Sequence, residues 1–158
     1  GGALTGREGP GGEGGLIYTE RAYRDFELEL DVRLIYPFDS GVFVRMRPPA
    51  TGLKGAQVTI DHRPGGEVGA IYADGFLAHN EWGAEALRKD DWNTFRVRCT
   101  GHPMHLQAWL NGRLLSDHEI TDPTGYAAEG LIGLQVHGGE DPPAGALAQF
   151  RHIRIREL

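Results

Sequence analysis

The sequence predicts an all-β domain, an antiparallel β-sandwich of the jelly-roll kind, and three observations support this. The 158 residues include 24 glycines and 9 prolines with no repeat period, which is typical of a chain with many tight turns. Apolar and polar residues alternate with a period of two along most of the chain from residue 16. Turn signals separate these short alternating segments. We therefore expect a single domain over residues 1–158 with roughly nine or ten strands.

The individual strands follow from the alternation. They are predicted at residues 26–34, 40–46, 56–60, 68–72, 95–99, 106–110, 114–120, 132–136 and 150–155. Asn111-Gly112 predicts a tight hairpin, because both residues tolerate a positive φ. Residues 63–66, Arg-Pro-Gly-Gly, predict a turn, and residues 84–89 predict one helical turn.

The start of the chain, residues 1–15, is rich in glycine and poor in apolar groups. Residues 9–14 match the pattern GxGxxG, but no strand precedes them and no helix follows, so a dinucleotide site is not expected. We expect this segment to be a mobile loop or an edge of the fold. Because the sequence has neither an initiating Met nor a signal peptide, we interpret it as a mature or trimmed chain.

Composition argues against several classes of protein. The net charge is -6 and no basic run occurs, so a nucleic-acid partner is not expected. No apolar run approaches the roughly 20 residues of a membrane span.

Ser40 and Ser116 are the only serines, and neither lies in a GxSxG nucleophile motif. His102 and His105 lack further ligands at zinc spacing, so we predict no metal site here.

Cys99 is the only cysteine, so no internal disulfide is possible. It continues the apolar alternation of Phe95 and Val97. We therefore interpret it as a small buried hydrophobe and not as a nucleophile.

Polar residues stand opposite the apolar residues on three predicted strands. They are Arg45 and Arg47 on the first, Gln57, Thr59 and Asp61 on the second, and Gln135 and His137 on the third. If the strands are neighbours, these side chains form one polar surface that suits sugar hydroxyls. Tyr72, Trp82 and Trp92 are candidates for stacking on a sugar ring. The alternative is an ordinary solvated sheet face.

Three of these residues have competing interpretations. Asp61 fits a general acid or base, a calcium ligand, or a turn cap before Arg63. His137 fits an acid–base catalyst, because histidine exchanges protons readily near neutral pH, or a hydrogen-bonding surface residue. Arg45 fits the stabilisation of an oxyanion or an ion pair with an acid on a neighbouring strand.

The sequence also resembles a known family, the 3-keto-disaccharide hydrolase domain family, formerly a domain of unknown function. The residues that carry the resemblance are Tyr23-Arg24-Asp25-Phe26-Glu27-Leu28, Asp39-Ser40-Gly41-Val42-Phe43-Val44-Arg45, Gly55-Ala56-Gln57-Val58-Thr59-Ile60-Asp61, Trp92-Asn93, Leu110-Asn111-Gly112, Gly130-Leu131-Ile132-Gly133-Leu134-Gln135-Val136-His137 and Phe150-Arg151-His152-Ile153-Arg154-Ile155. The resemblance implies a concanavalin A-like, laminin-G-like jelly roll. It also implies a secreted or periplasmic bacterial protein that acts on oxidised glycosides.

The family's site residues correspond to positions in three motifs. They are Arg45 in SG-x-x-x-R, Gln57 and Asp61 in Q-x-x-x-D, and Gln135 and His137 in LQ-x-H. The sequence departs from the family at Thr59, where an acid is frequent. It also lacks the usual N-terminal strand with its Trp and has an expanded loop at 138–146.

Two classes of function follow from these observations. An enzyme cleaving 3-keto-glycosides would use His137 or Asp61 as the base that removes the acidic C2 hydrogen, and Arg45 to stabilise the enolate. The predicted substrate-binding residues are Gln57, Gln135, Arg47, Thr59, Tyr72 and Trp82. The alternative is a non-catalytic carbohydrate-binding module or a laminin-G-like interaction domain. We expect a carbohydrate partner and no cofactor, with calcium as the alternative at Asp61, and the oligomeric state stays open.

Overall fold

The computed structural model describes residues 2–48, 55–122, 125–139 and 145–158. The strands within these residues are β1 (Leu4–Gly6), β2 (Gly15–Tyr18), β3 (Phe26–Ile35), β4 (Asp39–Met46), β5 (Ala56–Asp61), β6 (Val68–Tyr72), β7 (Phe76–Ala78), β8 (Asn93–Thr100), β9 (Met104–Leu110), β10 (Arg113–Ile120), β11 (Leu131–Val136) and β12 (Leu147–Glu157). Over the described ranges they form two six-stranded antiparallel sheets. The predicted all-β, jelly-roll sandwich is therefore confirmed.

One sheet, called here the front sheet, has the strand order β2-β11-β4-β5-β6-β7. The other, the back sheet, has the order β1-β12-β3-β8-β9-β10. Every pair of neighbouring strands is antiparallel. The β3–β8 and β4–β5 pairs lie in the middle of the two sheets, so the apolar faces of these central strands supply much of the core.

The core lies between the two sheets and consists of the apolar residues of each alternation. Strand β3 alone contributes Phe26, Leu28, Leu30, Val32 and Leu34, all at most 2% exposed. A shift of one residue in strand register would turn this set to solvent, so burial fixes the register. The Cys99 side chain is also fully buried, and desolvation raises the pKa of its thiol to about 12. The interpretation of Cys99 as a buried hydrophobe agrees with this placement.

The predicted turns are also found. Asn111 and Gly112 have φ values of 51° and 82° between β9 and β10, as a type I′ hairpin requires. The N–H of Gly66 donates to the carbonyl of Arg63 at 2.9 Å, which closes the turn after β5. A 3₁₀ helix at Gly83–Ala86 stands where a helical turn was predicted. No helix in the described parts of the chain is long and apolar enough to cross a membrane.

The glycine-rich start forms edges of the fold, one of its two predicted alternatives. Strand β1 pairs with β12 at the edge of the back sheet, and β2 pairs with β11 at the edge of the front sheet. Strand β7 was not predicted, because three residues are too few to display an alternation.

Arg45 lies inside the fold and not on the polar face. Its φ is 48°, and the β4–β5 register ends at Val44, so the alternation of β4 breaks at this residue. The guanidinium donates to the carbonyl of Arg24 at 2.8 and 3.1 Å and to the carbonyl of Gly101 at 2.6 Å. It also contacts Asp25 Oδ1 at 3.1 Å. These partners flank β3 and β8, so Arg45 joins the front sheet to the back sheet.

This placement corrects the prediction that Arg45 stabilises an oxyanion. The side chain is 0% exposed, and its described hydrogen bonds go to main-chain carbonyls and to Asp25. The ion-pair alternative describes Arg45 better. The acid nevertheless lies just before β3 of the opposite sheet and not on a strand next to β4.

Replacing Arg45 by Met should destabilise the domain by about 3–5 kcal/mol, because carbonyl groups and a carboxylate lose a buried partner. Arg154→Met, at an exposed arginine 3.9 Å from Glu29, should cost about 0–1 kcal/mol. Denaturant unfolding measures both values. Equal effects of the two substitutions would contradict the role given to Arg45.

Candidate functional site

Three neighbouring strands of the front sheet form a polar floor. Asp39 of β4 pairs with Asp61 of β5, and Phe43 pairs with Gln57. On the other side of β4, Gly133 of β11 pairs with Phe43. Since side chains alternate between faces, residues two apart on each strand emerge on the same side of the sheet. The strands that carry the predicted polar face are therefore adjacent.

A cavity of about 490 Å³ lies over this floor. Six of the nine predicted site residues line it: Gln57, Thr59, Asp61, Tyr72, Gln135 and His137. A concave site with several convergent polar groups is the usual form of a small-molecule site. Five of these six come from the three polar strand faces, so residues sorted by face from the sequence meet in one cavity.

The other three predicted residues lie elsewhere. Arg45 is buried between the sheets, as described above. Arg47 is exposed beyond the end of β4 and is not part of the cavity lining. Trp82 packs against the core beside the 3₁₀ helix, and the Arg113 guanidinium lies 4.0 Å from its ring centroid. Trp92, considered for stacking, lies beneath the guanidinium groups of Arg33 and Arg151.

Arg63 and two aspartates form an ion network at one end of the floor. Arg63 Nε and Nη2 contact Asp61 Oδ1 and Oδ2 at 2.8 and 2.7 Å, and Nη2 also contacts Asp39 Oδ2 at 2.9 Å. The N–H of Arg63 donates to Asp61 Oδ1 at 3.0 Å, which is the turn cap considered for Asp61. This bidentate geometry fixes the guanidinium in the cavity wall.

Sequence reasoning missed Arg63 and Asp39 as site residues. Arg63 lies in a predicted turn, where its residue type carried no functional signal. Asp39 was available from the alternation, because it shares a face with Gly41 and Phe43.

The imidazole of His137 lies beside the same network, immediately after β11. The backbone N–H of His137 donates to the backbone carbonyl of Asp39 at 3.2 Å. The Nε2 atom of the imidazole lies 3.8 Å from Asp39 Oδ2, and 40% of the His137 side chain is exposed, against 10% for Asp39. The carboxylate of Asp39 is thus shared between a guanidinium and an imidazole.

Two glutamines form the centre of the floor. Gln57 Nε2 donates to Gln135 Oε1, which orients both amides across β4. Gly41 lies between them on β4, and a Cβ there would collide with the Gln57 side chain. The absence of a side chain at Gly41 therefore lets the two amides meet.

Thr59 has a structural role in addition to lining the cavity. Its Oγ1 donates to the carbonyl of Glu67 at 2.7 Å and accepts from the N–H of Ala70 at 3.1 Å. The β5–β6 register shifts at this point, so the hydroxyl satisfies backbone groups at a bulge. A carboxylate at this position could not donate to the Glu67 carbonyl, which gives a physical reason for the departure from the family pattern.

An aromatic wall borders the floor. Tyr72 and Phe76 come from the β6–β7 hairpin, and Tyr126 comes from the segment before β11. Desolvation raises the pKa of the Tyr126 phenol, and the nearby carboxylates of Asp74 and Asp122 raise it further. Tyr126 is therefore a neutral hydroxyl near neutral pH and able to donate a hydrogen bond.

A metal-binding cluster of three or more His, Cys, Asp or Glu residues is not found within the described ranges.

The fold and this cavity define a lectin-like jelly roll with a polar site on one sheet. Similarity to known structures agrees, including a galectin-like protein from Bacillus subtilis and lectin I-B4 from Griffonia simplicifolia. The chain belongs to the 3-keto-alpha-glucoside-1,2-lyase-like domain family, and the match extends over residues 1–156. The resemblance drawn from the sequence is therefore confirmed.

Three solved structures illustrate the breadth of this fold. A candidate glycosyl hydrolase from Parabacteroides distasonis is 24% identical, with a TM-score of 0.75 over 99% of this chain and 87% of the other. The carbohydrate binding module CBM66 from Bacillus subtilis is 18% identical, with a TM-score of 0.68 over 97% and 86%. Alginate lyase Aly36B, solved with an alginate tetrasaccharide, is 16% identical, with a TM-score of 0.59 over 99% and 80%. No curated protein sequence matches the chain.

Gly41→Ala should displace the Gln57 amide and break its hydrogen bond to Gln135, because the new methyl group occupies the same space. The side-chain NH₂ resonances of both glutamines should shift in a ¹H–¹⁵N spectrum. Gly133→Ala is the control, since its Cβ would meet neighbours at ordinary contact distances of 3.4 Å and beyond. Unchanged Gln57 resonances in Gly41→Ala would show that the glycine does not control the floor.

Proposed function

We propose that the cavity binds a sugar oxidised at C3 and that the domain cleaves 3-keto-glycosides by eliminating the aglycone across C1 and C2. Membership of the 3-keto-alpha-glucoside-1,2-lyase-like family supports this substrate class. The observation that carries the proposal is the Asp39 carboxylate shared by the imidazole of His137 and the guanidinium of Arg63. A base and a fixed cation side by side are the two groups that removal of a proton next to a ketone requires.

The first step is removal of the hydrogen on C2, which the neighbouring ketone acidifies. His137 Nε2 takes this proton, and the charge of the Asp39 carboxylate favours the imidazolium that forms. The 3.8 Å separation exceeds hydrogen-bond length, so Asp39 acts on the ring mainly through its charge.

Arg63 stabilises the enolate oxygen that develops at C3. The guanidinium remains charged at any working pH, and two carboxylates hold it in place. Arg63 thus takes the role predicted for Arg45. Asp61 positions Arg63 in this account and is not the base, because Arg63 engages both of its carboxylate oxygens.

The enolate then expels the aglycone as the C1–O bond breaks. The departing oxygen takes the bonding electron pair and the phenolic proton of Tyr126, and the phenolate regains a proton from solvent. The sugar leaves as an unsaturated ketone with a double bond between C1 and C2. His137 releases its proton to solvent. Addition of water across the double bond then gives the 3-keto sugar, so the overall result is hydrolysis.

His137→Asn should lower the rate of aglycone release from p-nitrophenyl 3-keto-α-glucoside by about 10²–10⁴-fold, because the general base is lost. His105→Asn is the matched control, an exposed histidine on the back sheet with its own carboxylate neighbour, Asp117, at 2.5 Å. Nitrophenolate absorbance follows both variants. Wild-type activity in His137→Asn, or an equal loss in both, would refute the assignment of the base.

A non-catalytic carbohydrate-binding module is the second candidate. Two observations favour it. The fold is similar to that of CBM66, and Arg63 engages both oxygens of the Asp61 carboxylate, which therefore does not act as a base. The two candidates separate when a 3-keto-glucoside is added in excess. A module would bind it and return it unchanged, whereas the enzyme releases the aglycone.

A further inference from the structure

We propose that the β6–β7 hairpin forms a subsite for an aromatic aglycone, so that the domain prefers aryl glycosides. This inference rests on the proposed function, which places the sugar ring on the polar floor. The bound aglycone then extends from the floor toward the cavity wall, where Tyr72 and Phe76 lie.

The two rings are exposed although they line a cavity. Tyr72 is 38% exposed and Phe76 is 47% exposed. Both rings belong to one edge hairpin and line the same cavity. Scattered apolar residues are ordinary on a protein surface, but a contiguous patch beside a polar site is typical of a binding surface.

Contacts with neighbouring groups hold the rings in place. Tyr72 and Phe76 meet edge to face, with ring centroids 5.3 Å apart and an interplanar angle of 81°. Phe76 stacks on the imidazole of His79 at 4.5 Å and 29°. His79 Nδ1 in turn contacts Glu67 Oε1 at 2.7 Å. A wall ordered before binding loses little entropy when a ligand arrives.

The chemistry of the wall favours an aryl group over a second sugar. Glu67 Oε1 contacts His79, and its Oε2 accepts from the N–H of Asn80 at 2.6 Å. A second pyranose would lose water from its hydroxyls, and beside the stacked rings it would meet a carboxylate, Glu67, that His79 and Asn80 already engage. A flat aryl ring needs only apolar contact. The exposed carboxylate of Asp74 at the hairpin tip disfavours an anionic aglycone.

The test uses ligands that are not turned over, phenyl and cyclohexyl 1-thio-α-glucoside, with affinities measured by calorimetry. The wild-type domain should bind the phenyl compound about fivefold more tightly, as expected for one ring–ring contact. Phe76→Ala should abolish this preference and Phe76→Tyr should keep it. Ile17→Ala, which removes an exposed side chain from the opposite edge of the sheet, should keep it as well.

Because these ligands are not cleaved, the outcome is independent of catalysis. An inactive domain that prefers the phenyl compound through Phe76 supports the subsite and refutes the enzyme. An active domain whose preference survives Phe76→Ala refutes the subsite and leaves the enzyme standing. Tighter binding of an S-linked disaccharide than of the phenyl compound would assign the wall to a second sugar and overturn the inference.

Discussion

A buried guanidinium joins the two sheets of this domain, and the position of the site depends on it. Arg45 leaves β4 at a positive φ and binds main-chain carbonyls at the ends of two back-sheet segments, Arg24 and Gly101. Its charge is balanced by Asp25. A charge held between two sheets without such partners would cost several kcal/mol. The break in β4 that allows this contact also ends the polar floor, so the cavity lies over the part of β4 that precedes Arg45.

Within the cavity, the chemistry divides between floor and wall. The floor carries the amide pair of Gln57 and Gln135, which suits the fixed hydroxyl pattern of a sugar ring. The Asp39 carboxylate connects His137 to Arg63, so a proton acceptor and a cation meet at one edge of the floor. The wall carries the aromatic rings of Tyr72, Phe76 and Tyr126. A ligand with one polar part and one apolar part would satisfy both surfaces together.

How far the sequence could predict this arrangement depended on the local backbone. Period-two alternation located the long strands and the face of Gln57, Asp61 and Gln135, because each of these strands stays regular through its polar residues. The alternation gave a wrong direction for the Arg45 side chain. A backbone bulge reverses that direction, and the bulge does not change the alternating pattern of the sequence. Trp82 lies outside any strand, so its direction had no periodic pattern from which to be inferred.

Other residues of the site could not be predicted from the sequence, for different physical reasons. Arg63 lies in a turn, where the alternation of apolar and polar residues does not indicate which way a side chain points. Tyr126 and Phe76 reach the cavity through long-range packing of a loop and a three-residue strand. Thr59 was identified as a departure from the family, but only the structure shows that its hydroxyl satisfies the backbone of a bulge. Strand faces were therefore predictable where the strand is regular, whereas a bulge and contributions from turns and loops were not.

The central claim is that bond cleavage at C1 proceeds through loss of the hydrogen on C2. A 3-keto-glucoside carrying deuterium at C2 tests it most directly, with label loss and aglycone release followed together by NMR. The account predicts that the label leaves C2 as the aglycone is released, and that deuteration slows the reaction. Aglycone release with the deuterium retained at C2 would contradict the account and indicate direct displacement at C1.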